Sequence, residues 1–310
     1  MKKKLISIVT PCYNEEENIA EMYAQIKAVM SSQPYDYEHI VIDNASTDRT
    51  AAILRELAAQ DRRLKVILNT RNFGQVRSPY HALLQASGDA AIVLASDFQD
   101  PPEKIPEFIL KWEEGYKVVV GVKTSSKEPG LFYFLRSLYY RVLRKMSEVR
   151  LIDNFTGFGL YDKKVIEILR GFDEPYPYFR GLIADIGYEI ARIEFNQPRR
   201  KRGISSNNFY SLYDMAMLGM ISYTKIPLRL AAMLGFLSAV ISFVIGMVYL
   251  VYKLIFWKEF SVGLAPAVIG LFFMGSIQLF FLGLVGEYIG SIYTLAVRRP
   301  LVIEKERINF

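Results

Sequence analysis

The 310-residue sequence has one cysteine and two histidines. The single thiol, Cys12, excludes an internal disulfide framework and agrees with a reducing compartment. His39 and His81 are too few and too scattered for a zinc site or a Ser-His-Asp triad, and neither HExxH nor CxxC occurs. Phosphate-binding glycine loops are missing as well. No GxGxxG follows the first strand-like run and no GxxxxGK[ST] is present anywhere, which removes the dinucleotide and P-loop readings. Charge is scarce in one region only. From Ile226 onward there are seven Lys/Arg and four Asp/Glu, against 31 and 28 in residues 1–225.

Two uncharged runs fill that region, Leu230 to Tyr252 and Val262 to Gly286, each longer than the roughly 20 residues that span a bilayer. A short connection around Trp257 to Ser261 makes them an antiparallel hairpin. Lys225 and Arg229 before it and Arg298, Arg299, Lys305 and Arg307 after it outweigh Lys253 and Lys258 at the loop, so the positive-inside bias puts both ends, and the large N-terminal part, in the cytoplasm. Glu287 is then expected at the cytoplasmic end of the second span, because a carboxylate at the bilayer centre costs about 2.5–3.5 kcal/mol. MKKKLISIVTPCYNE does not read as a signal peptide, since Pro11, Asn14 and Glu15 interrupt a short apolar stretch. Small residues in GSIQLFFLG (275–283) permit a homo-oligomer through helix packing.

The charged part alternates apolar strands with helical patterns. LISIVT (5–10), HIVIDN (39–44), LKVIL (64–68), AAIVLA (90–95) and KVVVG (117–121) are separated by helix-like segments near 15–30, 48–60, 75–87 and 103–114. This predicts an α/β domain with a mostly parallel sheet. Three strands end in polar clusters, PCYNEEEN, DNASTDRT and SDFQDPPE, and ligands of α/β sheets gather at such carboxyl ends. Asp43, closing a buried strand, reads as a ligand, whereas Asp48 reads as a helix cap. Taken alone, Ser96 to Asp100 reads equally as a site or as a turn before a helix opened by Pro102 and Glu103. GLFYFLRSLYYRVLRKMSEVR (130–150) sets Arg141, Arg144 and Lys145 beside an apolar aromatic face, and FYSLYDMAMLGMISY (209–223) is similarly aromatic. Next to a hairpin these read as helices in the membrane interface, with core packing as the alternative. PRRKRG (198–203) suits a phosphate or an anionic leaflet.

Together PCYNEEENI, VIDNASTD, RNFGQ (71–75), DFQDPPE and GEYIG (286–290) resemble, in order and spacing, the membrane-anchored family 2 glycosyltransferases that make polyprenyl-phosphate sugars, of the dolichyl-phosphate mannose synthase and bacterial undecaprenyl-phosphate glucosyltransferase type. The resemblance implies a GT-A (Rossmann-like) nucleotide-sugar fold in residues 1–129, an acceptor-side part with interfacial helices in 130–225, the transmembrane hairpin in 226–297 and a cytoplasmic tail in 298–310. It implies a nucleotide-sugar donor (UDP-hexose preferred over GDP-hexose), a polyprenyl-phosphate acceptor in a bacterial inner membrane, contact with membrane lipid, and no nucleic acid partner. By motif position Pro11, Tyr13, Glu15 and Asp43 contact the base and ribose, while Asp97 and Gln99 hold Mg²⁺ or Mn²⁺ on the diphosphate, which makes Asp97 catalytic.

The chain departs from the family pattern at three places. Ala95 stands where another aspartate is usual; Gly157 and Gly159, in FTGFGL (155–160), replace the aspartate and arginine of TGDFRL; and Ser206 replaces a lysine. Asp153 is the substitute candidate for the catalytic base. A base is dispensable if the nucleophile is a phosphate monoester, largely dianionic at neutral pH. Arg141, Arg144, Arg200 and Arg202 are then the candidates for the acceptor phosphate. Two other functions remain open: a degenerate membrane partner that binds nucleotide or lipid without catalysis, and a processive polysaccharide synthase, which is expected to carry a QxxRW motif and more spans than are found here.

Overall fold

The computed structural model of the protein describes residues 3–124, 152, 154–198, 209–256 and 264–310. The first strand, β1 (Leu5–Cys12), lies between β2 (Asp36–Asp43) and β4 (Ala90–Val93), parallel to both. Beyond β2 comes β3 (Leu64–Asn69), also parallel. On the other side β6 (Phe155–Asp162) pairs antiparallel with β4 and with β5 (Val118–Lys123), and β5 pairs in parallel with β7 (Ile190–Phe195). With β8 (Glu304–Ile308) at the far edge, the strand order is β7-β5-β6-β4-β1-β2-β3-β8. The expected parallel sheet is therefore the central four strands, and the complete sheet is mixed.

Both faces of the central strands are covered, which is why they read as apolar runs. Ile6 and Ile8 of β1 point to α1 (Ile19–Ser31) and α4 (Ile105–Glu113), joining Met22, Ile26, Phe108 and Trp112. Val9, Ile40 and Ile42 face the opposite layer, built from α3 (Gly74–Leu84), α5 (Lys163–Arg170) and α6 (Phe179–Asp185). The helix α2 (Thr50–Gln60) packs Leu54 and Ala58 beside α1 on the first face. In α4 the buried residues are Ile105, Phe108, Ile109 and Trp112, one stripe at the 3, 4 and 7 spacing of an amphipathic helix.

The membrane part follows α7 (Phe209–Tyr223) as α8 (Ile226–Ile255) and α9 (Leu264–Val297). Both α8 and α9 are long and apolar enough to cross a membrane. At 1.5 Å per residue they run about 45 and 50 Å, more than the roughly 30 Å hydrocarbon core. The second helix thus continues eleven residues beyond Gly286, the expected end of the span. Glu287 is exposed, and its neighbour Tyr288 donates its hydroxyl to the Thr224 carbonyl at 2.9 Å, level with the junction of α7 and α8. After α9 the chain returns to the domain as β8 (Glu304–Ile308), antiparallel to β3. Asn309 then donates to the carbonyls of Ala58 (2.8 Å) and Leu64 (2.9 Å). Within segment 298–310, read as a tail, Glu304–Ile308 is an edge strand, and it fixes the second end of the hairpin to the same domain as the first. Residues 130–150, read from the sequence as an interfacial helix, and the loop 257–263 lie outside the described residues.

One buried group ties the fold to pH. His39 is 1% exposed on β2, its ring stacked on Tyr23 and its Nε2 at 3.0 Å from Thr10 Oγ1. Burial drives its pKa down to about 3, against a weaker opposing pull from the Asp61 carboxylate. The unfolded chain binds a proton at His39 below about pH 6.5 while the folded chain refuses it down to about 3, so stability falls with acidification across that window by about 1.4 kcal/mol per pH unit. Chemical denaturation of wild type and His39→Gln between pH 7 and 4 should show this slope reduced by one proton in the variant.

Candidate active site

The parallel register sets Cys12 beside Asp43 and Val9 beside Val93, so the segments following β1, β2 and β4 emerge along one edge of the sheet. The first two are laced together. The Asn14 N–H donates to Ser46 Oγ (2.8 Å), Thr47 N–H to Asn14 Oδ1 (2.8 Å), Glu15 N–H to Thr50 Oγ1 (2.9 Å) and Arg49 N–H to Glu16 Oε2 (2.9 Å). Asp48 accepts from the N–H groups of Glu16 and Thr50 and so holds the loop; the N-cap position of α2 itself is Arg49. Asn14 and Ala45 take positive φ, 54° and 63°, which the lacing bonds hold in place.

The sequence-derived nucleotide residues fall on this frame at different depths. Tyr13 is 37% exposed at the tip. Glu15 accepts from Asn18 Nδ2 at 2.6 Å. Asp43, 2% exposed, accepts from the Ser46 N–H at 3.1 Å and from the Ser46 hydroxyl, closing its own turn. Burial holds the Asp43 carboxyl above the ordinary carboxylate range, with the Ser46 bonds pulling it back. Burial also raises the Cys12 thiol, aided by the neighbouring Asp43 charge, so Cys12 is not an activated nucleophile.

In the third loop Asp97 is 5% exposed and accepts the Gln99 N–H at 3.1 Å, while Asp100 accepts the Ala95 N–H at 3.0 Å. Between them Phe98 takes φ 60°, a left-handed conformation that costs a bulky residue energy and is held here by the two aspartates. Burial pushes the Asp100 pKa up to about 6, and the charge of Asp97 adds to the shift. The residues fit a hard divalent cation in part. The Asp97 carboxylate and the Gln99 amide oxygen are of the right chemistry, but Ala95 adds no side-chain donor, and among the described residues no three Asp, Glu, His or Cys gather as a ligand set. Such a cation would depend on diphosphate oxygens for the rest of its shell.

A cleft of about 210 Å³ opens beside these loops. Pro11, Ala95 and Asp100 form one wall, Gln75 and Tyr80 of α3 the floor, and Tyr178, Phe179 and Arg180 the far wall. Of the nucleotide and metal candidates only Pro11 lines it. Gly157, also at the cleft, sits at φ 108° with its carbonyl accepting the Tyr161 hydroxyl at 2.8 Å. A side chain at that φ would be strained, so the backbone itself departs from one that carries a carboxylate there. Gly159 lies against the Val119 carbonyl, leaving no room for a side chain. Arg141, Arg144, Asp153, Arg200 and Arg202 lie outside the described residues.

Sequence reasoning missed the network that sets the α3 side of the cleft. Asn44 accepts the Phe73 N–H (2.9 Å) and Asn69 Nδ2 (3.1 Å), and donates to Asn72 Oδ1 (2.8 Å), which in turn accepts the Gly74 N–H (2.8 Å). The motif RNFGQ is thereby bolted to the residue after Asp43, and Gln75 is aimed at the cleft. Three asparagines scattered over 28 residues carry no local pattern; only their juxtaposition reveals the role.

The model of Glycosyl transferase family 2 matches residues 7–169, and that of the GtrB C-terminal hairpin matches residues 226–292. The uncharacterized glycosyltransferase YkcC of Bacillus subtilis is 36% identical over 96% of this chain and 92% of its own. A bactoprenol glucosyl transferase of Shigella phage SfV is 32% identical over 97% of this chain and 98% of its own. Among solved structures, glucosyl-3-phosphoglycerate synthase from Mycobacterium tuberculosis, in complex with Mn²⁺, uridine-diphosphate and phosphoglyceric acid, superposes with TM-score 0.51 over 70% of this chain and 76% of its own, at 21% identity. This last likeness is one of fold.

Asn44→Ala should leave the Phe73 N–H without the Asn44 acceptor and the Asn69 amide with Ser78 Oγ alone, costing about 1–3 kcal/mol. In hydrogen exchange the Phe73 amide should lose protection while the Leu160 amide on β6 keeps it, at a denaturant concentration where both proteins remain folded.

Proposed function

Because the chain belongs to glycosyl transferase family 2 and carries a hairpin of the GtrB type, we propose that it transfers one sugar, with inversion, from a nucleotide sugar to a polyprenyl phosphate at the cytoplasmic leaflet of a bacterial inner membrane. The relative named as a bactoprenol glucosyl transferase, matched along nearly its whole length, supports the acceptor class. The observation that carries the reading is the acidic loop 97–100 beside a cleft, in a chain that continues into two helices long enough to cross a bilayer. UDP-hexose is the proposed donor. Tyr13, Glu15 and Asp43 hold its base and ribose on the laced loops, and Pro11 continues that surface into the cleft.

Asp97 and Gln99 would hold a divalent cation, which when bound would supply charge neutralisation on the departing diphosphate. Asp100 keeps that loop folded by accepting the Ala95 N–H. The acceptor phosphate attacks the anomeric carbon from the face opposite the leaving group. Its second pKa, about 6, leaves it largely dianionic at neutral pH, so it brings its own nucleophile. What the protein must do is hold that charge in place, a task we assign to Arg141, Arg144, Arg200 and Arg202. Asp153 is the remaining base candidate.

A second reading has specific support. Ala95 and the side-chain-free backbone at Gly157 also suit a protein that binds donor or lipid without turnover. Purified protein in nanodiscs, given UDP-glucose or UDP-N-acetylglucosamine and undecaprenyl phosphate, should form the lipid-linked sugar. Donor binding with no transfer or hydrolysis would favour the second reading instead. Asp97→Ala, or EDTA, should lower transfer about 100-fold or more, since several kcal/mol of leaving-group stabilisation are removed. Full activity in both cases would end the metal assignment. Neutralising Arg200 or Arg202 singly should raise KM for the lipid about 10- to 150-fold while donor affinity holds, one lost charge-assisted bond being worth about 1.5–3 kcal/mol.

A further inference from the structure

The helix α6 is seven residues long and has two sides with different duties. On one side Phe179 packs edge-on to Tyr161 (5.2 Å between ring centroids) and to Tyr80 (6.2 Å), and it is the side chain nearest to Gly157; with Arg180 it makes the far wall of the cleft. On the other side Gly181 lies so close to the Tyr223 ring that a β-carbon at 181 would fall on Cε2 and Cζ of that ring. Tyr178, the residue before α6, flanks the same ring at 5.8 Å.

Tyr223 is the last residue of α7, and the residue after it is a pinned elbow. Thr224 is 3% exposed; its N–H donates to the Met220 carbonyl (3.1 Å), its hydroxyl accepts the Ile226 N–H at the start of α8 (3.1 Å), and its carbonyl accepts the Tyr288 hydroxyl of α9 (2.9 Å). One short path therefore runs from the hairpin through Thr224 and Tyr223 to Gly181, and from Gly181 two residues along α6 to the cleft wall. Every contact on it is a close-packed ring or a backbone hydrogen bond, so displacing the hairpin relative to the domain must displace the wall or break the seat.

We propose that the seat of Tyr223 on Gly181, with the Tyr288 bond to Thr224, is a positioning element that sets the height of the cleft above the bilayer and so presents it to a membrane-embedded acceptor. Tyr223, Gly181 and Tyr288 are positioning residues and touch neither substrate. The inference rests on the proposed function, since it concerns how that same cleft meets a lipid-linked phosphate. Ring shape, and not the Tyr223 hydroxyl, makes the seat, because the contact with Gly181 is through ring carbons.

The test compares two acceptors with the full-length protein in nanodiscs: undecaprenyl phosphate embedded in the bilayer, and a short prenyl phosphate supplied from solution. Tyr223→Ala and Gly181→Ala should lower kcat/KM for the embedded acceptor about 10- to 100-fold, as expected for a misplacement of about an ångström, and leave the short acceptor and the KM for nucleotide sugar within about twofold of wild type. Tyr223→Phe should restore the embedded reaction. Retained activity on the short acceptor shows that the variants are folded. Equal loss on both acceptors, or no loss on either, would overturn the inference and leave the acceptor class standing. Wild-type protein inactive on both acceptors would overturn the acceptor class and this inference with it.

Discussion

Burial of β1 on both faces, between two parallel neighbours, is the constraint from which the site follows. Ile6, Ile8 and Val9 are fully buried, as are Ile40, Ile42 and Ile92 on the flanking strands. Each such side chain contributes about 1.5–3 kcal/mol, and a strand covered on both faces leaves polar groups only where they find partners. Glu38 is one that does: it accepts from Ser7, Ser87 and Lys65, and its pKa stays low despite burial. The remaining polar residues are expelled to the carboxyl edge, where three loops meet. The positive-φ residues there, Asn14, Ala45 and Phe98, cost about 1–3 kcal/mol each at most. The burial behind them exceeds that cost, so the strained loops are held in one shape and a charged ligand would meet a preformed surface.

The same sheet also governs how the membrane part is attached. At one end the hairpin is joined through the elbow at Thr224; at the other, β8 pairs with β3 and the Thr70 N–H donates to the Ile303 carbonyl. The ion pair of Arg55 with Glu306 across β8 is exposed and contributes little. Ladder bonds and the Asn309 side chain do the holding. Both ends of the α8–α9 pair are fixed to one domain, so a hairpin of these helices that crosses a bilayer would have to return and keep both its ends on the domain's side.

Legibility in the sequence tracks how local the cause is. The central strands and the two long helices were readable because burial on all sides leaves an uninterrupted apolar run, as in AAIVLA and in residues 230–252. β8 was not, since EKERI alternates charge along an edge strand and its partner lies over 230 residues away. FTGFGLYD was read as a broken motif, and that it forms the antiparallel strand β6 became visible only in its pairing with β4 and β5. The acidic edge of the candidate site was legible from its position after three strands. The Asn44 network and the Gly181 seat were not, because single asparagines and glycines have no periodicity and act through contacts 25 to 42 residues apart.

The two glycines in β6 join the chemistry to the fold. Gly159 admits no side chain beneath Val119, and Gly157 is turned to a φ that disfavours one, its carbonyl tied to Tyr161 and Phe179 standing beside it. Restoring a carboxylate at 157 would therefore require the strand, the Tyr161 bond and the cleft wall to change together. Losing a general base costs an alcohol nucleophile about 10²–10⁴-fold, whereas a phosphate dianion carries no proton to remove. On the proposed reading, the packing that fills this end of the cleft and the chemical class of the acceptor select for each other: a site without a base at 157 is useful only to a nucleophile that arrives already ionised, and such a nucleophile makes charge and placement, rather than proton transfer, the demands that the protein must meet.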